Sequence, residues 1–259
     1  NEIFGVTVNI SLLDKEGNKI ATLENGKVER LLTIPIDNPH LWSVEDPYLY
    51  DLDIAILKDG VQTDAVSSYC GMRKIEVKKV GETPRIFLNG KQIFQMGPLD
   101  QGWWPDGLYT APSDEALLFD IKAMKALEFN MIRKHIKIEP ARWYMHCDRE
   151  GILVWQDLPS PNLPSGYEDY AKKNFEDESK RIITAFRNHP SIIQWVVFNE
   201  GWGQFDTERM TQIVIGEVGQ SLVCCASGWV DAPIGDIKDS HSYPNPSCPL
   251  DETRAGVCG

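Results

Sequence analysis

The sequence predicts a β-sandwich over residues 1–80 followed by an incomplete eight-fold βα (TIM) barrel over residues 81–259. Three observations carry this. Up to about Val80 the chain reads as short strands broken by turns, and no amphipathic helix is needed before residue 110. Beyond Pro84 short apolar segments alternate with amphipathic ones, the pattern of βα units around a parallel sheet. Seven strand starts then follow one another without the reversal of an open sheet, and no Gly-x-Gly-x-x-Gly turn supports a dinucleotide fold.

In the first part Val6–Leu12 alternates in part, Asp14–Asn18 turns, Lys19–Leu23 follows and Arg30–Ile36 runs into a loop containing proline. Tyr48–Leu57 alternates, Lys58-Asp59-Gly60 makes a hairpin turn, and Val61–Tyr69 returns. Arg73–Val80 sets Ile75 and Val77 against Lys74, Glu76 and Lys78. In the second part Gln92–Met96 is expected as the first barrel strand, before a loop rich in Gly, Trp and Pro. Ser113 caps a helix whose acidic first turn, Asp114-Glu115, suits the helix dipole. Further strands are predicted at Asn130–Ile136, Ile152–Trp155, Ile192–Phe198, Leu222–Ala226, Ile237–Ser242 and Ala255–Gly259. Helices are predicted at Pro140–Arg149, over 168–187 and at Asp206–Gly219. The spacing leads us to expect a sandwich without its beginning and a barrel without the end of strand seven or strand eight.

With 26 Lys and Arg against 38 Asp and Glu, the net charge is −12, a field that repels phosphate backbones and anionic lipid surfaces. Neither a nucleic acid nor a membrane is an expected partner, and no run approaches the roughly 18 apolar residues of a membrane span. The six cysteines are too few for a disulfide scaffold and lack the paired spacing of a zinc site.

In a βα barrel, reactive groups stand at the C-terminal ends of the strands. Asp100 follows strand one, Arg133 and His135 lie on strand two, Asp157 ends strand three, Asn199-Glu200 end strand four, and Asp239, His241 and Tyr243 mark strand six. Trp103, Trp104 and Trp202 lie in adjoining loops. Carboxylates beside aromatic faces and amide or cationic donors suit a pyranose, whose apolar C–H faces are ringed by hydroxyls. Glu200 follows a mostly apolar strand and precedes Gly201-Trp202-Gly203. A carboxyl there has its charge disfavoured on the strand side, so it is suited to protonate a departing glycosidic oxygen and then to activate water. Position alone also fits a capping or surface glutamate.

Arg187–Trp195 leading to Asn199-Glu200 closely resembles the acid/base signature of glycoside hydrolase family 2, which includes β-galactosidases, β-glucuronidases and β-mannosidases. Asn130–Arg133, followed by Trp143 and Cys147-Asp148, resembles its other signature. Asn38–Trp42, Asp46–Tyr50 and Gly71–Glu76 resemble the end of the family's immunoglobulin-like domain and the approach to its barrel. The resemblance implies a retaining exo-β-glycoside hydrolase, galactosidase-like, with Glu200 as acid/base, Asn199 bonding the sugar 2-hydroxyl, and a nucleophilic Glu at the end of strand seven, at or just beyond Gly259. It implies that Tyr243 steadies the nucleophile, that Arg133 lies beneath it, and that Arg73 serves domain packing. It suggests a periplasmic or extracellular setting for a glycoside or oligosaccharide substrate.

The sequence departs from that pattern in places. The family's histidine three places after the arginine is Ile136 here, and His135 shares Arg133's strand face, where it takes over a sugar contact or sits as a core histidine. Pro159 stands where galactosidase-type members hold a metal through histidine, so no metal and no cofactor is expected. Asp100 binds a sugar hydroxyl or caps a turn, and Trp103 and Trp104 stack on sugar or pack their loop. A non-catalytic carbohydrate-binding protein is the competing reading. A metal-dependent hydrolase using His135, His241 and Asp157 is a third.

Overall fold

The computed structural model describes residues 4–29, 31–160, 168–245, 247–248 and 251–258. Arg30 and Gly259, the ends of two expected strands, lie outside the described residues. The chain divides into two compact units, one of Asn1–Trp42 with Asp46–Met72 and one of Ser43–Glu45 with Arg73–Gly259.

The first unit is a four-stranded antiparallel sheet in the order β2-β1-β3-β4, built from β1 (Val6–Leu13), β2 (Lys19–Lys27), β3 (Tyr50–Lys58) and β4 (Val61–Cys70). Lys58 pairs directly with Val61, leaving Asp59 and Gly60 at φ 51° and 80°, the left-handed pair that a two-residue hairpin requires. Val8, Leu12, Trp42 and Tyr50 are buried. The Trp42 amide donates to the Met72 carbonyl, and the Tyr50 hydroxyl accepts from the His40 amide. Leu31–Ile36, expected within a strand, forms no ladder. Pro35 removes one of the N–H groups that a ladder would need.

The second unit opens with a three-stranded antiparallel sheet of β5 (Ile75–Val80), β6 (Thr83–Leu88) and β7 (Lys91–Gln92). The sequence reading missed β6. Asn89 and Gly90, at φ 52° and 79°, turn it directly into β7, and this Asn-Gly pair was its available signal.

The barrel elements follow as β8 (Leu99–Asp100), α1 (Asp114–Ala126), β9 (Met131–Lys134), α2 (Ala141–Glu150), β10 (Leu153–Asp157), α3 (Asp169–Phe186), β11 (Ile192–Asn199), α4 (Thr207–Glu217), β12 (Leu222–Ser227), β13 (Ile237–Ser240) and β14 (Ala255–Cys258). The seven strands form one parallel sheet in sequential order from β8 to β14, which is the wall of a βα barrel. The first barrel strand is Leu99–Asp100, whereas 92–96 was expected. Pro98 has no N–H to offer, and a Cβ on Gly97 would stand 1.6 Å from the Met131 carbonyl oxygen, so this stretch lies against β9 with most of its ladder missing.

Ser113 caps α1 by accepting from the Ala116 amide, as its place in the sequence predicts. Helices and strands share one apolar layer in which Ile121, Trp143, Ile183, Trp195 and Met210 are withdrawn from water. At the opposite end of the strands from the polar cluster, Arg73 donates to the carbonyls of Pro190, Ile192 and Gln220 and to the Ser221 hydroxyl, at 2.7–3.1 Å. It ties the starts of β11 and β12 together, and burial pulls its pKa down to about 10. Replacing Arg73 with Met strands these acceptors, and urea unfolding is expected to show a loss of about 3 kcal/mol, as hydrogen bonds to a charged donor dictate.

Candidate active site

Strand alternation sorts the polar residues of β9 into two sets. Arg133, only 5% exposed, donates through Nε to Asp157 Oδ1 at 3.1 Å and through Nη2 to Asp157 Oδ2 at 2.9 Å and Asn199 Oδ1 at 2.8 Å. His135 Nδ1 lies 3.0 Å from Asp157 Oδ2, and the Ile136 amide donates to the same oxygen at 3.3 Å. Asp157 is 1% exposed, and its two oxygens are engaged by Arg133, His135 and the Ile136 amide. Burial alone would raise its pKa, but Arg133 and then His135 outweigh burial and hold it below the usual carboxylate range. Burial likewise works against the Arg133 cation, and Asp157 more than restores it.

Asn199 spends its oxygen on Arg133, which leaves its amide N–H groups for another partner. His135 is bound at Nδ1 and keeps Nε2 for one. Next comes Glu200, whose amide still donates to the Ser227 carbonyl at 2.8 Å while its backbone turns to φ 53°. Gly201 and Gly203 follow at φ 77° and 61°, so the chain leaves the sheet abruptly and the carboxyl is left at the strand end, 13% exposed. Glu200 Oε1 lies 2.6 Å from His241 Nδ1. The other ring nitrogen of His241 meets Ser227 Oγ at 2.9 Å, Arg133 Nη1 at 3.4 Å and Asp239 Oδ2 at 3.7 Å.

The structure therefore brings Arg133, His135, Asp157, Asn199, Glu200 and His241 into one network at the C-terminal ends of β9, β10, β11 and β13. Asp100 belongs to a different cluster. It accepts from the Gly102 amide at 2.7 Å and from Lys134 at 2.5 Å, and Lys134 also meets Glu139 at 3.0 Å. Lys137 bridges Glu139 and the Gly102 carbonyl, and lies 5.1 Å from the centre of the Tyr109 ring. Trp103 packs edge-to-face on Tyr109 and is 55% exposed, whereas Trp104 packs against the apolar layer. Trp202 and Tyr243 are 43% and 76% exposed on loops, and among the described residues no hydrogen bond ties either side chain to the network.

Sequence reasoning did not single out Ser227, and it placed Asp239 at the end of strand six without assigning it a partner. Ser227 is the polar end of an apolar strand followed by Gly228, the arrangement also seen at Asn199–Gly201, and Asp239 shares a strand face with His241. Among the described residues no group of three or more His, Cys, Asp or Glu side chains is placed to hold a metal ion.

Asp157→Asn removes the countercharge of a buried guanidinium, so denaturant unfolding at pH 7 is expected to show a loss of about 3–5 kcal/mol. The sign of the pH effect follows from the depressed native pKa of Asp157. Its contribution is complete above the unfolded carboxylate pKa of about 4 and is lost as pH falls through the lower native value. The gap between the native protein and the variant should therefore narrow only below about pH 4.

Residues 2–73 match the model of glycosyl hydrolases family 2, and residues 82–237 match the family 2 TIM barrel domain. A β-galactosidase from Halalkalibacterium halodurans is 29% identical over 215 residues, covering 76% of this chain and 21% of that protein. A putative β-glucuronidase from Formosa agariphila is 31% identical over 206 residues, covering 78% and 24%. The β-glucuronidase of Parabacteroides merdae superposes with a TM-score of 0.72 over 90% of this chain and 30% of that one, at 20% identity, which speaks to the fold alone. The chain thus spans about a fifth to a quarter of the length of these curated relatives. On the two family matches, which together take in the sheet of the first unit and most of the barrel wall, the chain belongs to glycosyl hydrolase family 2.

Proposed function

We propose that the protein is a retaining exo-β-glycoside hydrolase in which Glu200 is the general acid/base. The observation that carries this is the placement of Glu200, a scarcely exposed carboxyl at the C-terminal end of β11, next to an asparagine whose donors are directed by a buried arginine. Relatives named as β-galactosidases and as β-glucuronidases leave the sugar open, and we take a β-linked pyranoside of the galactoside type as the substrate class.

In the first step Glu200 gives its proton to the departing glycosidic oxygen while a second carboxylate bonds to the anomeric carbon. In the second step Glu200, now ionised, takes a proton from water as water displaces that carboxylate. Retention needs the two carboxyl groups about 5–5.5 Å apart, and the family resemblance assigns the second to the end of the seventh strand. That strand is β14, whose Cys258 is in register with Ser240, one residue before His241. Asn199 and His135 offer donors to ring hydroxyls, and Arg133 holds Asn199 in place and opposes protonation of the nucleophile. Trp103 and Trp202 offer exposed faces on which a sugar can stack.

Glu200→Gln in the full-length protein is the test. Turnover of an alkyl β-glycoside, which needs acid assistance, should fall about 10²–10⁴-fold. A dinitrophenyl β-glycoside should still form its glycosyl-enzyme rapidly, and the first-formed product should be the β-anomer by NMR. Undiminished turnover of the alkyl glycoside would remove Glu200 from the role.

A further inference from the structure

We propose that Glu200 and His241 form a single acid/base unit that shares one proton between Glu200 Oε1 and His241 Nδ1, with Ser227 and Asp239 fixing the histidine tautomer that makes the sharing possible. This rests on the reading of Glu200 as the acid/base and adds to it the group that loads and reloads its proton.

The tautomer follows from the hydrogen bonds. Asp239 is an ionisable carboxyl, and the Ser227 hydroxyl lies in very short contact with its Oδ2. A carboxylate only accepts, so the Ser227 proton is committed to Asp239 and the serine oxygen is left to accept from its other neighbour. That neighbour is His241 Nε2 at 2.9 Å, which therefore carries a proton. Arg133 Nη1 is also near Nε2, but at 3.4 Å it is the more distant, and the rest of that guanidinium is taken up by Asp157 and Asn199. With Nε2 protonated, Nδ1 faces Glu200 Oε1 at 2.6 Å, a distance that calls for one proton between them. That proton sits on nitrogen, pairing an imidazolium with a carboxylate, or on oxygen, pairing a neutral ring with a carboxylic acid. Both descriptions contain the same number of protons.

Two features show that the site is shaped around this pair. Gly228, at φ 97°, has no Cβ, and one placed there would stand 2.9 Å from His241 Nδ1 and 3.0 Å from Glu200 Cγ. The end of β12 can approach both partners only as glycine. Asp239 Oδ1 is buried and, among the described residues, has no hydrogen-bond partner, which places a poorly compensated negative charge beside the ring. Every charged neighbour enters the balance. Asp239 on β13 and Glu200 after β11 favour the imidazolium, Arg133 on β9 opposes it, and Asp157 on β10 neutralises Arg133. The net result is a His241 pKa above the ordinary histidine value, raised chiefly by Asp239, against burial, and then by Glu200.

The step balances as a proton transfer. The proton passes from Nδ1 to Oε1, the carboxyl rotates about its Cγ–Cδ bond, and the protonated oxygen delivers it to the glycosidic oxygen as the C–O bond breaks. Glu200 then takes a proton from the attacking water and returns it to Nδ1.

Because the proton belongs to the pair, the basic limb of kcat/KM reports loss of the last shared proton rather than the titration of an isolated glutamic acid. His241→Asn in the full-length protein keeps a donor toward Glu200 but cannot carry the proton. On an aryl glycoside with a poor leaving group, its basic limb should move to lower pH by about one unit or more. Circular dichroism and thermal unfolding of the variant should match those of the native protein and so report an intact fold. Asp239→Asn leaves the Glu200–His241 contact in place and should move the limb in the same direction by less, which keeps the test available if His241→Asn does not fold. A basic limb unmoved in every variant that folds, with or without a loss of rate, would overturn the shared proton. That result leaves Glu200→Gln impaired, whereas a failure of the acid/base reading itself appears as an active Glu200→Gln.

Discussion

A guanidinium and a carboxylate that are both almost wholly withdrawn from water determine how the strand ends are arranged. Desolvating such a pair costs several kcal/mol per ion, so Arg133 and Asp157 are tolerated only because nearly every donor and acceptor is used. Asp157 receives two N–H groups from Arg133, faces His135, and accepts from the Ile136 amide. Arg133 has a further N–H for Asn199. One ion pair on β9 and β10 therefore sets the ring of His135, the turn at Ile136 and, across β10, the amide on β11. An apolar pair of the same volume would fill the barrel equally well but would leave these three groups unaimed.

The same constraint explains where the backbone is strained. Ile136 has φ 52°, in the left-handed region that a β-branched side chain avoids, and Glu200 has φ 53°. Each departure costs about 1–2 kcal/mol and persists only when its surroundings over-determine it. For Ile136 the determinants lie on both sides. Its amide is held by Asp157, and the next turn is pinned by Lys137 and Glu139. The side chains of this stretch serve two buried clusters. Arg133 and His135 join the network around Asp157. Lys134 meets Asp100 and Glu139 and lies 4.3 Å from the centre of the Trp143 ring. For Glu200 the determinants are its amide bond to β12 and the two glycines that follow.

How much of this was legible depends on how local each signal is. The alternation of strand and helix from β9 to β12 was readable because each element carries its own period and boundary, as Ser113 does for α1. The first barrel strand was misplaced because Gln92–Met96 is more strand-like in composition than Met96–Asp100. Backbone contact of Gly97 and Pro98 with β9, which composition does not encode, decides the matter. That Arg133, Asn199 and Glu200 stand near one another was legible because strand ends in a barrel are a defined place to look. The placement of Asp157 inside the network was not legible, since it depends on which donors converge on it from β9 and the turn after it. Asp100 was ambiguous for the same reason, and its contacts with the Gly102 amide and Lys134 settle what it touches. Ser227 and Asp239 needed the register of three neighbouring strands, which no single segment carries.

The charge of the cluster bears on the chemistry that such a place can support. Around Glu200, among the described residues, the carboxyl groups of Asp157, Asp239 and Glu200 face the cation of Arg133 and the imidazole of His241. Arg133 is committed to Asp157, so the negative charge left over lies with Glu200 and Asp239, on the β11–β13 side, where the His241 ring faces both. Glycosidic bond cleavage develops positive charge on the anomeric carbon and the ring oxygen. An excess of fixed negative charge in a site that excludes much of the water stabilises that charge without reorganising at the moment of reaction. A free cation at this place would act in the opposite sense. The burial of Lys134 and Lys137 in their own contacts with Asp100, Glu139 and the Gly102 carbonyl then has a consequence beyond stability. In the proposed reaction it would keep the two nearest lysines in the sequence from neutralising the field that an oxocarbenium-like transition state needs.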